Sequence, residues 1–322
     1  MKRVRPTQPL LARTKAGAKS TYCYWSVADG EFALMAETMI ASARKAGVTA
    51  EFHIWSDREI AGAVVHPVRG FKKEHYLFKL EFLRDHVATL PHDYFVWLDA
   101  DCYFVRDPGN ILRVLGGAPM HASLESDLCG PDHSRTSWRG CPLPIMAHLM
   151  RAGGVRGKSI FNVNGGFWIV HRDAIEKVCE LAFRFWEIGR EYGYLFTEEA
   201  PLAYAAQMLC RNPDAHQLRR WTDVWATDWQ GVLGKRLPAD RPWIFRDYFT
   251  LEELKVNPAI VHLVGCKDVL IAEAQSRRAR EAKVSDAAKK TANGGAARVK
   301  PAPRRSGTID RSAAAVPRPE TL

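Results

Sequence analysis

No run in the 322 residues approaches the ~20 consecutive apolar residues of a membrane span. The first residues likewise lack the apolar centre of a secretory signal. These absences predict a chain with no transmembrane segment, and a cytoplasmic location is the expectation. Seven cysteines (Cys23, Cys102, Cys129, Cys141, Cys179, Cys210 and Cys266) are scattered, odd in number and never spaced C-x-x-C. That pattern argues against a disulfide framework or a structural zinc site and suits a reducing compartment. Aromatic residues are missing after Leu270, where Ala, Arg, Lys and Pro dominate, and residues 1–19 contain no acid. Both stretches have little to bury. We expect a disordered basic leader over 1–19, a domain over 20–270, and a largely disordered basic tail over 271–322 whose 271–283 portion extends as a helix. No internal repeat is present.

The net charge of +10 suggests nucleic acid or an anionic membrane surface as partner. Its distribution says otherwise. Residues 1–19 carry +6 and residues 271–322 carry +7, leaving 28 basic against 31 acidic residues over 20–270. The part able to fold is slightly acidic. Specific nucleic-acid binding is therefore not expected of it, and any anionic-surface contact is a weak one made through the tails.

What remains is an ordinary globular composition, 47% apolar, arranged as alternating strands and helices. A β-rich run over 21–27 ends in Ala28-Asp29-Gly30; apolar residues at helical spacing follow over 31–45, with Gly47 as a stop. A second strand is predicted over 51–55, a short third over 64–68, and a helix over 75–87. Residues 116–160 read as irregular, with a short helix over 145–151; 159–170 return to strand character interrupted by Asn162-Val163-Asn164-Gly165-Gly166. Helices over 173–190 and 197–210, a Trp- and Asp-rich segment over 221–249 and a last extended run over 258–265 complete the pattern. Strand–helix–strand alternation implies right-handed βαβ units, an α/β class and a mostly parallel central sheet flanked by helices.

One stretch stands out. Tyr94-Phe95-Val96-Trp97-Leu98 reads as a strand buried on both faces, and it runs into Asp99-Ala100-Asp101. An unpaired buried carboxylate is costly, so the strand should end where Asp99 begins. The carboxyl edge of a parallel sheet is where ligands bind. Two acids there suit a divalent cation that itself holds phosphate oxygens. A solvated acidic turn is the bland alternative. A phosphatase using its first Asp as nucleophile would have Thr where this chain has Tyr103, on an earlier strand.

Together with Lys79 on the preceding helix, Asn164-Gly165-Gly166 and His262-Leu263-Val264-Gly265-Cys266-Lys267, the Asp-x-Asp stretch resembles the GT-A glycosyltransferases, most of all the glycogenin and galactosyltransferase type. The resemblance spans about residues 20–270 and implies a single Rossmann-like domain, a nucleotide-diphospho-sugar donor, Mn²⁺ or Mg²⁺, and glycosyl transfer, a hexosyl unit above all, to an acceptor that is a glycan, lipid or protein. It implies Asp99, Asp101 and His262 as metal ligands and Lys267 at the diphosphate; His262 and Lys267 stand one residue closer than the family's usual spacing. His262 is otherwise a core histidine bonded to backbone.

Around these, Asn162, Asn164, Gly165 and Gly166 form either a loop where backbone approaches a sugar or a tight hairpin turn. Glu198 and Glu199 contact donor hydroxyls, act as an acceptor base, or simply favour a helix N-terminus. Lys79 reaches phosphate or lies solvated on an amphipathic helix. Ser26 and Asp29 follow the first strand, where base and ribose would sit. Trp225 and Trp229 stack on an acceptor or pack in the core. Two further readings stay open: a nucleotidyltransferase, although Val27-Ala28-Asp29-Gly30-Glu31 is not a basic Gly-rich phosphate loop, and a non-enzymatic binder acting through its tails.

Overall fold

The structure is a computed structural model and describes residues 20–68, 77–129, 137–138, 140–209, 223–228, 236–246 and 253–294. The expected leader over 1–19, Trp229 and most of the tail fall outside the described residues. The chain divides after Arg277 into two compact units.

The first unit opens with β1 (Tyr22–Val27), α1 (Glu31–Lys45), β2 (Phe52–Ser56), β3 (Val64–Pro67), α2 (Phe78–Asp85) and β4 (Tyr94–Leu98). It continues through β5 (Cys102–Phe104), β6 (Met120–Asp127), β7 (Ser137–Trp138), β8 (Cys141–Pro142), α3 (Leu143–Gly153) and β9 (Phe161–His171). Then follow α4 (Ile175–Glu191), α5 (Glu199–Leu209), β10 (Trp225–Thr227), β11 (Trp243–Arg246), β12 (Glu253–Val256), β13 (Ile260–His262) and α6 (Lys267–Gly294). The second unit, from Arg278, holds the remainder of α6. Among the described residues no helix is long and apolar enough to cross a membrane.

Six strands form the central sheet in the order β3-β2-β1-β4-β9-β6. β3, β2, β1 and β4 pair in parallel, and β9 alone runs against its neighbours β4 and β6. The expected mixed α/β class and mostly parallel sheet are observed. Alternation along β1 explains the layering: Cys23, Trp25 and Val27 face a core shared with α2, α3, α4 and α5, whereas Tyr24 faces the opposite core with α1. That second core also receives a three-stranded sheet ordered β10-β13-β5 and the start of α6 through Leu270. Because both faces are covered, the strands carry large apolar side chains in succession, and Trp25, Trp97 and Trp168 meet with ring centroids 4.5–6.0 Å apart.

Two expectations are corrected. Asn162 to Gly166 neither break a strand nor turn a hairpin; they lie within the continuous β9. The pairing partner of Ala122 is Trp168 while that of Ser123 is Asn164, so three residues of β9 bulge out of the ladder there. Glycine tolerates the close approach that the bulge creates. The supposedly irregular 116–160 contains β6 and the eleven-residue α3. Its alternation was masked by polar Ser123, Glu125 and Ser126 on a strand that ends the sheet order.

Candidate active site

β4 ends at Leu98, where the apolar strand meets its first carboxylate, and Asp99-Ala100-Asp101 turn the chain into β5, a strand of the smaller sheet. The two acids thus sit where one sheet hands the chain to the other. Pairing register does the rest. Leu98 lies opposite Phe167, and the Asp99 N–H donates to Gly166 O at 3.0 Å, which brings the β9 bulge against Asp99. Cys102 lies opposite His262 on β13, and the Leu263 N–H donates to Asp101 O at 2.9 Å.

His262 therefore lands between the carboxylates. Its Nε2 is 3.0 Å from Asp101 Oδ1 and 3.6 Å from Asp99 Oδ2. The other oxygen of each acid is already held by a lysine. Lys79 Nζ is 2.9 Å from Asp99 Oδ1, which also accepts from Trp97 Nε1 at 2.9 Å. Lys267 Nζ is 3.0 Å from Asp101 Oδ2. Two carboxylate oxygens and one imidazole nitrogen are left converging, and ligand atoms of Asp99, Asp101 and His262 lie within 4.8 Å of one another. This donor set, hard oxygens with one nitrogen, fits Mg²⁺ or Mn²⁺, the imidazole favouring Mn²⁺.

The electrostatics are those of buried groups that exist by mutual support. Burial raises the pKa of Asp101, but His262 and Lys267 outweigh it and hold the carboxyl well below its usual range. Burial lowers the pKa of His262, and the carboxylates of Asp101 and Asp99 reverse that. Lys79 is only 6% exposed, contrary to the solvated face offered as one alternative. Burial pulls its pKa down, and Asp99 and Glu198 lift it above the ordinary lysine value. Its ammonium meets Glu198 Oε1 at 2.5 Å and Gly165 O at 3.3 Å.

The bulge explains the glycines. A Cβ on Gly165 would stand 2.6 Å from Glu198 Oε1, and one on Gly166 would stand 2.6 Å from His262 Cε1. Gly165 N–H points at Glu199 Oε1, 3.4 Å away, and Gly166 N–H donates to Asn164 Oδ1 at 2.8 Å.

A cavity of ≈ 990 Å³ opens over this constellation. Asp99, Asp101, His262, Lys79 and Lys267 line it, as do Asn164, Gly165 and Gly166 from β9 and Glu198 and Glu199 from the start of α5. Ser26, Asp29 and Asn162 do not. Ser26 and Asn162 are buried, at 1% and 0% exposure, and Asp29 accepts the Phe32 N–H in the turn before α1. Trp225 packs on the His262 and Phe167 rings within the core, supporting the histidine from behind.

Other wall residues escaped the sequence reading. Trp97 was legible in principle, since residues two apart on a strand share a face and its N–H can reach the acid that follows. Trp186, Arg190, Leu195 and Phe196 form a further wall from the end of α4 and the loop after it. Leu195 is 77% exposed, an apolar side chain left in the open beside a cavity.

No family model and no curated protein matches the chain. Among solved structures, the fold is similar to that of the apo WbbM bifunctional glycosyltransferase, with a TM-score of 0.51 and 12% sequence identity over 81% of this chain. The match spans half of the WbbM chain. At that identity the likeness is one of architecture alone.

Proposed function

We propose that the chain is a metal-dependent glycosyltransferase of the GT-A type, moving a sugar from a nucleotide-diphospho-sugar to an acceptor. The convergence of Asp99, Asp101 and His262 on one cavity at the carboxyl edge of β4 carries this reading. In such a reaction the leaving nucleoside diphosphate bears roughly two negative charges that grow as the glycosidic bond breaks, and a bound Mn²⁺ or Mg²⁺ supplies Lewis-acid stabilisation of that charge.

The protein groups then have distinct duties. Asp101 and His262 hold the metal; Asp99 Oδ2 joins them or accepts from the donor ribose. Lys79 and Lys267 occupy the outer carboxylate oxygens and set a positive charge beside each of the two neighbouring acids. Lys267, with its side chain 43% exposed, is free enough to turn from Asp101 toward a diphosphate oxygen. Asn164, Gly165 and Gly166 present β9 backbone to the sugar, while Glu198 and Glu199 orient its hydroxyls or take the acceptor's proton. Ser26 and Asp29 lie outside the cavity wall and shape the end of β1 from behind it, and Asn162 supports the bulge. The apolar wall of Trp186, Leu195 and Phe196 receives the acceptor.

Thermal unfolding of the full chain with Mn²⁺ and a panel of nucleotide-sugars tests this, because a ligand bound only to the native state raises the midpoint by mass action. One nucleotide-sugar should stabilise only with metal present, and it should be hydrolysed or transferred. Asp101→Asn should abolish both effects. A folded Asp101→Ala protein that turned the donor over at the wild-type rate would overturn the proposal.

A further inference from the structure

A second set of metal-ligating side chains stands at the opposite, amino-terminal edge of the sheet. Cys23 lies near the start of β1, Glu51 and His53 flank the first residue of β2, and His92 precedes β4. Trp25 pairs with His53 in the β1–β2 register, so His53 shares the face of Cys23 and Trp25. One ring nitrogen from each of His53 and His92 and the Cys23 sulfur all lie within 4.8 Å of one another. Glu51 Oε2 is 3.2 Å from His53 Nε2 and 3.0 Å from His92 Nε2.

We propose that Cys23, His53, His92 and Glu51 form a second metal site, suited to Zn²⁺, that ties the starts of β1, β2 and β4 together. Donors 2.0–2.1 Å from a tetrahedral zinc ion stand about 3.3 Å apart, close to the spacing already held between Glu51 and the two imidazoles. Two nitrogens, one sulfur and one oxygen are a zinc donor set, and four protein ligands leave no open position, which makes the site structural.

Outer contacts are also in place. His53 Nδ1 is 3.0 Å from His66 Nε2, and the His66 ring stacks on Trp55 with centroids 4.3 Å apart. That pairing orients the His53 ring as partners of ligating histidines do. The Cys23 thiol is fully buried beside these rings, and His92 Nδ1 is buried with no partner among the described residues. On metal binding the thiol proton leaves to solvent and a sulfur–metal bond replaces the S–H bond. The scattered cysteines, which as a linear pattern argue against structural zinc, hide this site because its ligands come from three separate strands' ends.

Cobalt(II) substitution of the chelator-treated full chain provides the test. One equivalent of Co²⁺ should develop the intense visible bands of a four-coordinate ion together with a thiolate-to-cobalt charge-transfer band, and Zn²⁺ should bleach both. The Asp99–Asp101–His262 group contains no sulfur, so a charge-transfer band that depends on Cys23 reports on the second site. Cys23→Ser should lose that band and keep the visible ones. His53→Ala and His92→Ala should weaken binding at least tenfold, and should those variants fail to fold, Glu51→Gln at the exposed ligand should weaken it as well. Absence of the charge-transfer band in the wild-type protein, or its survival in Cys23→Ser, overturns the proposal.

Discussion

The Lys79 ammonium lies 2.9 Å from Asp99 Oδ1, a buried cation from the first turn of α2 fastened to the carboxylate that ends β4. The same group reaches Glu198 immediately before α5, so one positive charge joins three elements around the cavity.

Removing that charge is the first prediction. Lys79→Met removes the cation shared by Asp99 and Glu198 and leaves Asp99 with His262, 3.6 Å from its Oδ2. A loss of about 3–5 kcal/mol is expected, toward the lower end because the Asp99 side chain is 28% exposed. A fall in urea midpoint at unchanged slope would show it. Adding Glu198→Gln should restore part of the loss, because the stranded carboxylate is then gone.

Gly166→Ala places a methyl group 2.8 Å from His262 Nδ1 and 2.9 Å from Asn164 Oδ1. Relief requires His262 and Asn164 to shift, which disturbs the 3.0 Å approach of His262 to Asp101. We expect about 1–3 kcal/mol of overpacking cost and, more tellingly, weaker Mn²⁺ binding by calorimetry. Gly165→Ala pushes on Glu198 instead, and its effect should fall on donor turnover more than on metal affinity.

Asp93 supplies a pH dependence away from the site. The Thr21 N–H and hydroxyl donate to Asp93 Oδ2 at 2.8 and 3.1 Å, and these bonds hold its carboxyl below the ordinary value of 3.8. A depressed carboxyl stabilises the fold above its unfolded pKa and loses that contribution as pH falls through the folded one. Asp93→Asn should therefore cost about 0.5–1 kcal/mol at pH near 7, kept small by solvent screening. The gap between variant and wild type should close as denaturation is repeated at pH values falling below 3.8.

Tyr204 donates its hydroxyl to Gly153 O, 2.7 Å away, satisfying a carbonyl at the end of α3 from α5. Tyr204→Phe keeps the ring stack on Phe185 and removes only this bond. The expected cost is about 1 kcal/mol, measured by denaturant unfolding, with donor turnover unchanged.

Much of this protein is written locally. Periodicity marks β1, α1, β2, β4, α4 and α5 because burial of a face repeats along a strand or helix, and the end of β4 is legible because an ionised Asp99 cannot continue an apolar strand. β6 was not legible, since a strand at the end of a sheet tolerates polar residues that blur alternation. The bulge in β9 looked like a break for a related reason: Asn-Gly-Gly is turn chemistry by itself, and only pairing with β4 and β6 holds it extended.

Sequence alone determined that two acids follow a buried strand in a mostly parallel α/β sheet, since local burial and local charge are sufficient for that. The tertiary structure decided which groups meet them. Lys79 could be solvated or buried on its helix until Asp99 and Glu198 surrounded it, and His262 became a neighbour of Asp101 only through the pairing of β5 with β13. Likewise Cys23, His53 and His92 carry no common signature until parallel strands bring their starting ends together. Periodicity records which way a side chain faces; strand register, which depends on the whole chain, records what it faces.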